Sequence, residues 1–332
     1  MPTTRLSSPL LTAAVLAGLG TPVVAQDLVL YSGRGESLVA PLIEMFEEQS
    51  GADVEVRYGG TAELAVLLQE EGEASPADVF WAQDPGALGA VGDMFAPLPE
   101  DILNRVPEGL RDDQGRWVAA SGRARLFVYS PDRVSDDEMP ASITDLTGDA
   151  YAGRVGWAPT NGSFQAHLTA IREELGEDET RAWLDGMVEN DTQAYSNNSS
   201  QVQAIADGEI DFGLVNHYYL LRSKEADPNF PVDQALFEDG DIGNLLMAAG
   251  VGVLQSSDDQ ELAQQFVSFL LSDEAQAYFS EDNHEYAVVE GAGSGNQEPS
   301  FEEVREAAPD VDLNTLDDLE GTLNLLRDAG LL

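Results

Sequence analysis

The sequence predicts an α/β fold of two lobes, and three observations carry that prediction. Apolar and amphipathic segments alternate from residue 28 to residue 82 in the order strand, helix, strand, helix, strand, which is typical of a parallel sheet. A second such series runs from about residue 155 to residue 215. Two long strand-like segments, residues 123–130 (RARLFVYS) and 245–254 (LLMAAGVGVL), stand where the chain would cross between lobes. Such a fold holds its ligand in a cleft, where the carboxyl ends of the strands face each other.

The first series is defined by hydrophobic periodicity and by glycines. Gly51 and Gly72 are typical helix stops, and Thr61 is expected to cap the second helix through its hydroxyl group. The predicted elements are strands at residues 28–31 (LVLY), 54–58 and 77–82 (ADVFWA), with helices at residues 37–49 and 61–72.

The second series is less regular but has the same character. Its predicted elements are strands at residues 155–159 (VGWAP) and 210–215, and helices at residues 164–175 and around 202–206, followed by helices at 261–271 and 316–326. We expect the N-terminal lobe to contain residues 27–122 and 249–299, and the C-terminal lobe residues 123–248 and 300–332.

The first 25 residues differ from the rest of the chain. Arg5 is their only charge, residues 10–19 are apolar, and residues 23–25 (VVA) form a small-residue cleavage pattern. The apolar run is shorter than the ~20 residues that a membrane-spanning helix needs. We therefore expect a secretory signal peptide, cleaved after Ala25, and a soluble mature protein outside the cytoplasm.

Charge and composition exclude several classes of function. Asp and Glu number 61 against 16 Lys and Arg, a net charge of −45, which repels nucleic acid and anionic membranes and suggests a halophilic-type protein working in high salt. Cysteine is absent, so any metal must be held by oxygen or imidazole. Neither a P-loop nor an HExxH motif is present, which argues against an enzyme. Of the histidines, His167 and His284 are expected to be structural or solvated.

Polar loops follow the predicted strands on both sides of the expected cleft. In residues 32–36 (SGRGE), Arg34 offers several donors to a ligand, although a tight turn with a solvated arginine is equally compatible with the pattern. Gln83 directly follows the third strand and is a cleft candidate, whereas the neighbouring Asp84 is more typical of a helix cap.

Residues 159–164 (PTNGSF) open a predicted helix and favour an anion. The free N–H groups and the dipole of a helix N-terminus attract negative charge near Asn161, Gly162 and Ser163. Ser163 could also be a plain N-cap, which does not exclude the anion. Asn197 and Asn198 extend the same kind of polar surface before another helix.

Two adjacent tyrosines, Tyr218 and Tyr219, follow an apolar run that ends in Asn216 and His217. Neighbouring side chains in a strand point to opposite faces, so both phenols reach one ligand only where the strand ends. A phenol, with a pKa of about 10, loses its proton to a highly charged hard cation, and ferric iron is the common biological ion of that kind. From the spacing alone, two half-buried tyrosines packed at a surface are the favoured alternative.

The chain as a whole resembles a known family. The resemblance covers nearly all of the chain after residue 27, in the segments LVLYSGRGESLVAPLIEMFEEQSGADVEVRYGGTAELAVLL, SPADVFWAQDPGAL, AASGRARLFVYS, VNHYYLLR and DLEGTLNLLRDAGLL. These segments are similar to the periplasmic ferric-iron-binding proteins of bacterial ABC importers. The resemblance implies a class II periplasmic-binding-protein fold, with mixed sheets flanked by helices, that closes on Fe(III) without catalysis. It further implies a monomer in the periplasm that delivers iron to an importer permease in the inner membrane.

The resemblance also assigns roles to individual residues. The family's adjacent tyrosine ligands fall on Tyr218 and Tyr219. Its anion-binding groups fall on Asn161, Gly162, Ser163, Asn198 and Asn216, and its SGR arginines on Arg123 and Arg125.

The chain departs from the family at two positions, since Gly35 and Gln83 stand where its best-known members have a histidine and a glutamate. We expect exogenous anions such as carbonate to fill those sites, held by Arg34, Arg123 and the helix terminus at residues 161–163. Tyr58 or Glu36 is the candidate third protein ligand. The departures keep one alternative open, a class II binding protein for another small ligand, either an oxyanion or an organic cation.

Overall fold

The computed structural model describes residues 27–293, 297–316 and 318–332. The expected signal peptide and its cleavage site after Ala25 lie outside the described residues. Along the chain the strands and helices are β1 (Asp27–Ser32), α1 (Glu36–Ser50), β2 (Asp53–Tyr58), α2 (Thr61–Glu71), β3 (Val79–Trp81), α3 (Pro85–Ala90), α4 (Glu100–Leu103), β4 (Trp117–Tyr129), β5 (Val155–Trp157), α5 (Gly162–Leu175), α6 (Glu177–Glu189), β6 (Gln193–Ala194), α7 (Asn198–Asp207), β7 (Phe212–Asn216), α8 (Tyr218–Ala226), β8 (Asp233–Ala235), β9 (Leu246–Val253), α9 (Gln260–Leu270), α10 (Asp273–Glu281), α11 (Phe301–Ala307) and α12 (Leu319–Asp328).

The strands form one mixed sheet in the order β2-β1-β3-β9-β4-β7-β5-β6, with β8 paired to β4. Strand β1 is parallel to β2 and β3, and β5 is parallel to β6 and β7, as the two alternating series predict. Strand β4 joins the two parallel groups. Its first part, Trp117–Ala124, pairs with β9, and its second part, Arg125–Tyr129, pairs with β7.

The two long segments predicted to cross the molecule correspond to β4 and β9. Strand β9 contains two glycines because helix α3 and the following loop approach its backbone closely. A Cβ on Gly250 would lie 2.3 Å from Leu88 Cδ1, and one on Gly252 would lie 2.7 Å from the Phe95 ring. The division into lobes at residues 122/123, 248/249 and 299/300 stays a prediction.

Helices cover the sheet and bury its apolar side chains. A large core cluster contains Leu28, Trp81, Phe127, Trp157 and Phe266, and smaller clusters lie around Phe80 and around Val128. Within the described residues, no helix combines the length and apolarity needed to cross a membrane.

The expected cap at Thr61 is wrong, because tertiary contacts use its hydroxyl group. Gly60 is the N-cap residue of α2. Thr61 Oγ1 donates to the Gly33 carbonyl at 3.3 Å and accepts from the Gln83 amide at 3.1 Å. The side chain therefore ties together the loops that follow β1 and β3.

Candidate functional site

The two adjacent tyrosines begin a helix. Strand β7 ends at Asn216, and α8 starts at Tyr218, so the backbone turns directly before the pair, which lies in the first helical turn. The two rings lie side by side, with centroids 4.5 Å apart and planes inclined by 33°. Tyr218 is 7% exposed. Both phenols can therefore face one small ligand.

A series of hydrogen bonds through Asn216, Arg125 and His167 fixes the position of the Tyr218 hydroxyl group. Asn216 Nδ2 donates to the Tyr218 hydroxyl oxygen at 3.1 Å, and Asn216 Oδ1 accepts from Arg125 Nη1 at 3.2 Å. Arg125 also donates from Nη2 to the Leu214 carbonyl at 2.9 Å and from Nε to His167 Nδ1 at 3.2 Å. Because Asn216, Arg125 and His167 are all buried, the position of the first phenol is fixed by groups with no access to water.

Burial is the main cause of the pKa shifts in the hydrogen-bonded series Tyr218, Arg125 and His167. It raises the pKa of Tyr218 above the ordinary value for a phenol, and the adjacent Tyr219 adds to the increase while Arg123 and Asn216 oppose it. Burial lowers the pKa of Arg125 to about 10, an effect that the two tyrosines partly offset. Burial, together with the charge of Arg125, lowers the pKa of His167 to about 3. At neutral pH the site therefore presents the Tyr218 phenol beside the charged guanidinium of Arg125 and the neutral imidazole of His167.

Arg123 lies beside the tyrosines with donors to spare. Its side chain is 1% exposed, and Nη2 pairs with the Asp84 carboxylate. Arg123 Nε and Nη1 have no hydrogen-bond partner among the described residues. Buried, unpartnered guanidinium N–H groups suit a small anion. Asp84 occupies the N-cap position of α3, but its side chain makes no cap hydrogen bond, because it pairs with Arg123 instead.

The predicted anion loop is assembled at the N-terminus of α5. Asn161, not Ser163, is the N-cap, and its Oδ1 accepts from the Ser163 amide at 3.0 Å and from Ser163 Oγ at 2.6 Å. Asn198 Nδ2 lies 3.4 Å from both Asn161 Oδ1 and Ser163 Oγ. At Gly162 an added Cβ would meet open space. The structure thus brings Asn161, Gly162, Ser163 and Asn198 together.

Gln201, which the sequence did not single out, connects this loop to the tyrosine strand. Its Nε2 donates to the Leu214 carbonyl at 3.3 Å and lies 3.5 Å from Asn198 Oδ1. Leu214 is also the residue whose carbonyl accepts from Arg125. The helix terminus and the tyrosines are therefore parts of one hydrogen-bonded wall.

Arg34 is not the solvated arginine that the sequence left open as an alternative. It is 1% exposed, and Nη2 donates to both carboxylate oxygens of Glu285 at 2.9 and 2.8 Å. Ser121 Oγ donates to the same carboxylate at 2.6 Å. Arg34 Nε and Nη1 have no partner among the described residues. An internal carboxylate thus already uses one of the three guanidinium nitrogens that the sequence offered to an exogenous anion.

The remaining candidates follow β1, β2 and β3, which are neighbours in the sheet. Glu36 is exposed in the first turn of α1, and Tyr58, at the end of β2, is 37% exposed. Partial burial, and to a lesser extent the charge of Glu36, raise the pKa of Tyr58. Gln83 is half-buried, and its backbone is fixed by Thr61. Within the described part of the chain, no hydrogen bond joins these residues to the tyrosine pair.

Across residues 27–293, 297–316 and 318–332, no group of three or more His, Asp or Glu side chains is arranged to hold a metal ion. His217 illustrates this, because its ring stacks on Tyr286 at 4.0 Å and its Nδ1 accepts from the Ala124 amide at 3.2 Å. The tyrosine pair therefore does not lie within a ready-made cluster of three such side chains in the described residues.

Comparison with known proteins assigns the chain to a family. The family of bacterial extracellular solute-binding proteins matches residues 41–302, and the chain belongs to that family. Among its relatives, the Fe(3+)-binding periplasmic protein of Serratia marcescens is 34% identical over 330 residues, which cover 97% of this chain and 96% of that protein. The resemblance to periplasmic ferric-iron-binding proteins is thereby confirmed.

Solved structures agree with this classification. Iron-bound HitA from Pseudomonas aeruginosa has a TM-score of 0.82 and 30% identity, and the match covers 92% of this chain and 100% of that one. A Trichodesmium protein in complex with iron and citrate ligands has a TM-score of 0.77 and 27% identity, with coverage of 92% and 100%. The expected two-lobed class II periplasmic-binding-protein fold is confirmed.

Proposed function

We propose that this chain captures ferric iron outside the cytoplasm and delivers it to an ABC importer. The observation that carries the proposal is the tyrosine pair. Tyr218 and Tyr219 face the same side at a ring separation of 4.5 Å, and Asn216 binds the first hydroxyl group at 3.1 Å. Two phenolates are hard oxygen ligands that suit a trivalent cation. The names of the relatives from Serratia marcescens and Pseudomonas aeruginosa support the same cargo.

An exogenous anion completes the proposed iron shell. Two phenolates leave most coordination positions of the ion open, and Arg123 and the N-terminus of α5 present N–H donors that suit an anion and not a cation. Arg123 has two unpartnered guanidinium nitrogens, Nε and Nη1, and the N-terminus of α5 at residues 161–163 is polar and open. Carbonate fits this set, as does a carboxylate anion such as the citrate in the Trichodesmium complex. Asn198 contacts the α5 loop, and Arg34 and Gln83 are proposed to assist the anion from the side of β1 and β3.

We propose that the protein binds iron in an open state, closes on it and releases it to the importer. Tyr58 or Glu36 would join the iron as a third protein ligand when the two lobes, residues 27–122 with 249–299 and residues 123–248 with 300–332, close on it. The protein would act as a monomer in the periplasm after cleavage near Ala25, with an inner-membrane permease as its partner and without any catalytic step. Its net charge of −45 supports an environment of high ionic strength.

The test is a titration of metal-free protein with ferric iron, with and without bicarbonate or citrate, followed by visible absorption. A phenolate-to-iron charge-transfer band is expected. Tyr218→Phe and Tyr219→Phe should each alter the band and weaken binding by more than the ~10- to 100-fold typical of an outer-shell group. Tyr129→Phe, a half-buried phenol at the far end of β4, is the matched control and should bind iron normally. A protein that stays colourless under all conditions would falsify the iron assignment.

A second candidate is an oxyanion-binding protein of the same fold, and the free donors of Arg123 favour it. Calorimetry with carbonate, phosphate or citrate in the absence of iron separates the two. Tight anion binding that Tyr218→Phe leaves unchanged would support the second candidate, whereas anion binding that requires iron supports the first.

A further inference from the structure

Arg222 lies over the ring of Tyr218. The two residues are four apart in α8, so their side chains share one face of the helix. Arg222 Cζ is 4.8 Å from the centroid of the Tyr218 ring, within the range of a cation–π contact. Arg222 is half-buried, which strengthens such a contact by reducing competition from water.

The positive charge of Arg222 is not neutralised by the protein. In the described part of the chain, Arg222 Nη2 donates a hydrogen bond to the uncharged carbonyl oxygen of Asn283, at 3.2 Å. No described carboxylate lies within ion-pair distance of Arg222, although the chain has 61 acidic residues. Most of the arginines that the structure describes in this acidic chain pair with a carboxylate, but Arg222 does not. Its positive charge therefore acts mainly on the Tyr218 ring that it covers.

The carbonyl that holds Arg222 belongs to a loop that reaches the other side of the molecule. Asn283 Nδ2 donates to the Leu38 carbonyl of α1 at 3.1 Å. The next residue, His284, has a φ of 58°, which is uncommon for a residue other than glycine, and its Nε2 lies 2.9 Å from the Glu225 carboxylate of α8. Arg222 is therefore fixed at both ends, by α8 through the chain and by α1 through Asn283.

We propose that Arg222 is a positioning residue that fixes the ring of Tyr218 in its ligating orientation and places a positive charge against that ring. This inference rests on the proposed function, because it concerns the ligand tyrosine. The charge acts on the phenolate once iron is bound. A cation beside the ring lowers the energy of the phenolate donor orbital, so it raises the energy of the phenolate-to-iron transition. Loss of the charge lowers that energy, and loss of the contact frees the ring.

The experiment compares the wild-type protein with Arg222→Met, Arg222→Lys and the control Arg327→Met, whose guanidinium is exposed near the C-terminus. Each is loaded with ferric iron and bicarbonate, and the visible band and the iron affinity are measured. Arg222→Met is expected to shift the band to longer wavelength and to weaken iron binding about tenfold, as loss of an outer-shell group does. Arg222→Lys, which keeps the charge, is expected to recover most of the band position, and Arg327→Met to match the wild type.

The outcomes separate this inference from the proposed function. If wild type shows the band and Tyr218→Phe loses it, but Arg222→Met keeps both the band position and the affinity, Arg222 has no positioning role and the iron assignment stands. If wild type has no band, both ideas fail. Should Arg222→Met not fold, Arg222→Gln carries the test, because it also removes the charge but keeps a donor for the Asn283 carbonyl. An Arg222→Gln band at the wild-type position with unchanged iron affinity refutes the inference.

Discussion

The two sides of the candidate site differ in how firmly their polar groups are held. On the side of β5, β7 and α7, Asn198 lies within hydrogen-bond distance of Asn161, and Asn216 bonds to both Arg125 and Tyr218. Most of these groups are buried. On the side of β1, β2 and β3, Glu36 and Tyr58 are exposed, and Arg34 turns inward to Glu285. One side is organised before any ligand arrives, and the other has to move or to recruit ligands from solution. Preorganised groups bind at a lower conformational cost, so we expect the first of these sides to dominate affinity.

The largest expected effect comes from removing Arg125. Its guanidinium satisfies His167 Nδ1 and Asn216 Oδ1, and each buried acceptor left unsatisfied costs roughly 1–3 kcal/mol. It also donates to the Leu214 carbonyl, which keeps its bond from Gln201. Arg125→Met should therefore lower the free energy of unfolding by about 3 kcal/mol or more, as measured by urea denaturation.

Arg57 provides the matched comparison on the other side. Its side chain is 54% exposed and 3.8 Å from Glu71, so Arg57→Met should cost less than ~1 kcal/mol. Equal losses for the two variants would contradict the view that only one side is organised in advance.

Acid should weaken the organised side through His167. In the folded protein the pKa of His167 is lowered to about 3, first by burial and then by Arg125, while in the unfolded chain it is near 6.5. Below pH 6.5 the unfolded chain binds a proton that the folded protein does not, so stability is present above that pH and is lost as pH falls toward 3. The slope approaches ~1.4 kcal/mol per pH unit for this one group.

Urea denaturation at pH 7, 6 and 5 measures that slope. His167→Gln, which keeps one donor and one acceptor, should reduce the slope even where it lowers stability at pH 7. An unchanged slope would show that other groups are responsible for acid sensitivity.

The sequence predicts what depends on neighbours along the chain. The alternation of apolar and amphipathic segments is a local signal, and it identifies the strands and helices of the first parallel group. In the second group it identifies β5, α5, α7 and β7, but not α6 or β6. The tyrosine pair and the loop at residues 159–164 are equally local. Local reasoning fails where a distant residue competes for the same atom. Thr61 and Asp84 are residue types typical of helix caps. In the structure, however, the Thr61 hydroxyl donates to the Gly33 carbonyl, and the Asp84 carboxylate pairs with Arg123.

Contacts between distant residues leave no signal in a single sequence. Glu285 is 251 residues from Arg34 and dictates where that arginine points. Gln201 and Arg222 lie on amphipathic helices whose apolar periodicity is explained by packing against the core. Nothing in that periodicity indicates that either residue belongs to the site. The tyrosines themselves were found by their chemistry, whereas their place in a first helical turn, which makes them face the same way, was not predicted.

Two adjacent asparagines offer a sharper test of the organised side. Asn198 is buried and contacts Asn161 and Ser163, whereas Asn197 caps α7 by accepting from the Ser200 amide at 2.9 Å. Asn198→Ala should weaken anion-dependent iron binding about tenfold. Asn197→Ala should lower the free energy of unfolding by about 1 kcal/mol and leave iron binding unchanged. Calorimetry and denaturation of both variants measure the two effects, and a reversed pattern would place the anion contact at Asn197.

The smallest effects are expected from the exposed side. In the proposed cycle Tyr58 and Glu36 would reach the iron when the lobes close, and carbonate or another anion from solution would compete for the same coordination position. Tyr58→Phe and Glu36→Gln should therefore weaken iron binding by about tenfold or less, or ~1.4 kcal/mol, when the anion is in excess, and by more when it is withheld. Titration at high and low bicarbonate measures this difference for both variants, with Tyr218→Phe as the reference for a lost ligand. A Tyr58→Phe loss as large as that of Tyr218→Phe at high bicarbonate would mean that β2 supplies an obligatory ligand. The two sides would then contribute equally, and preorganisation would not decide which residues matter.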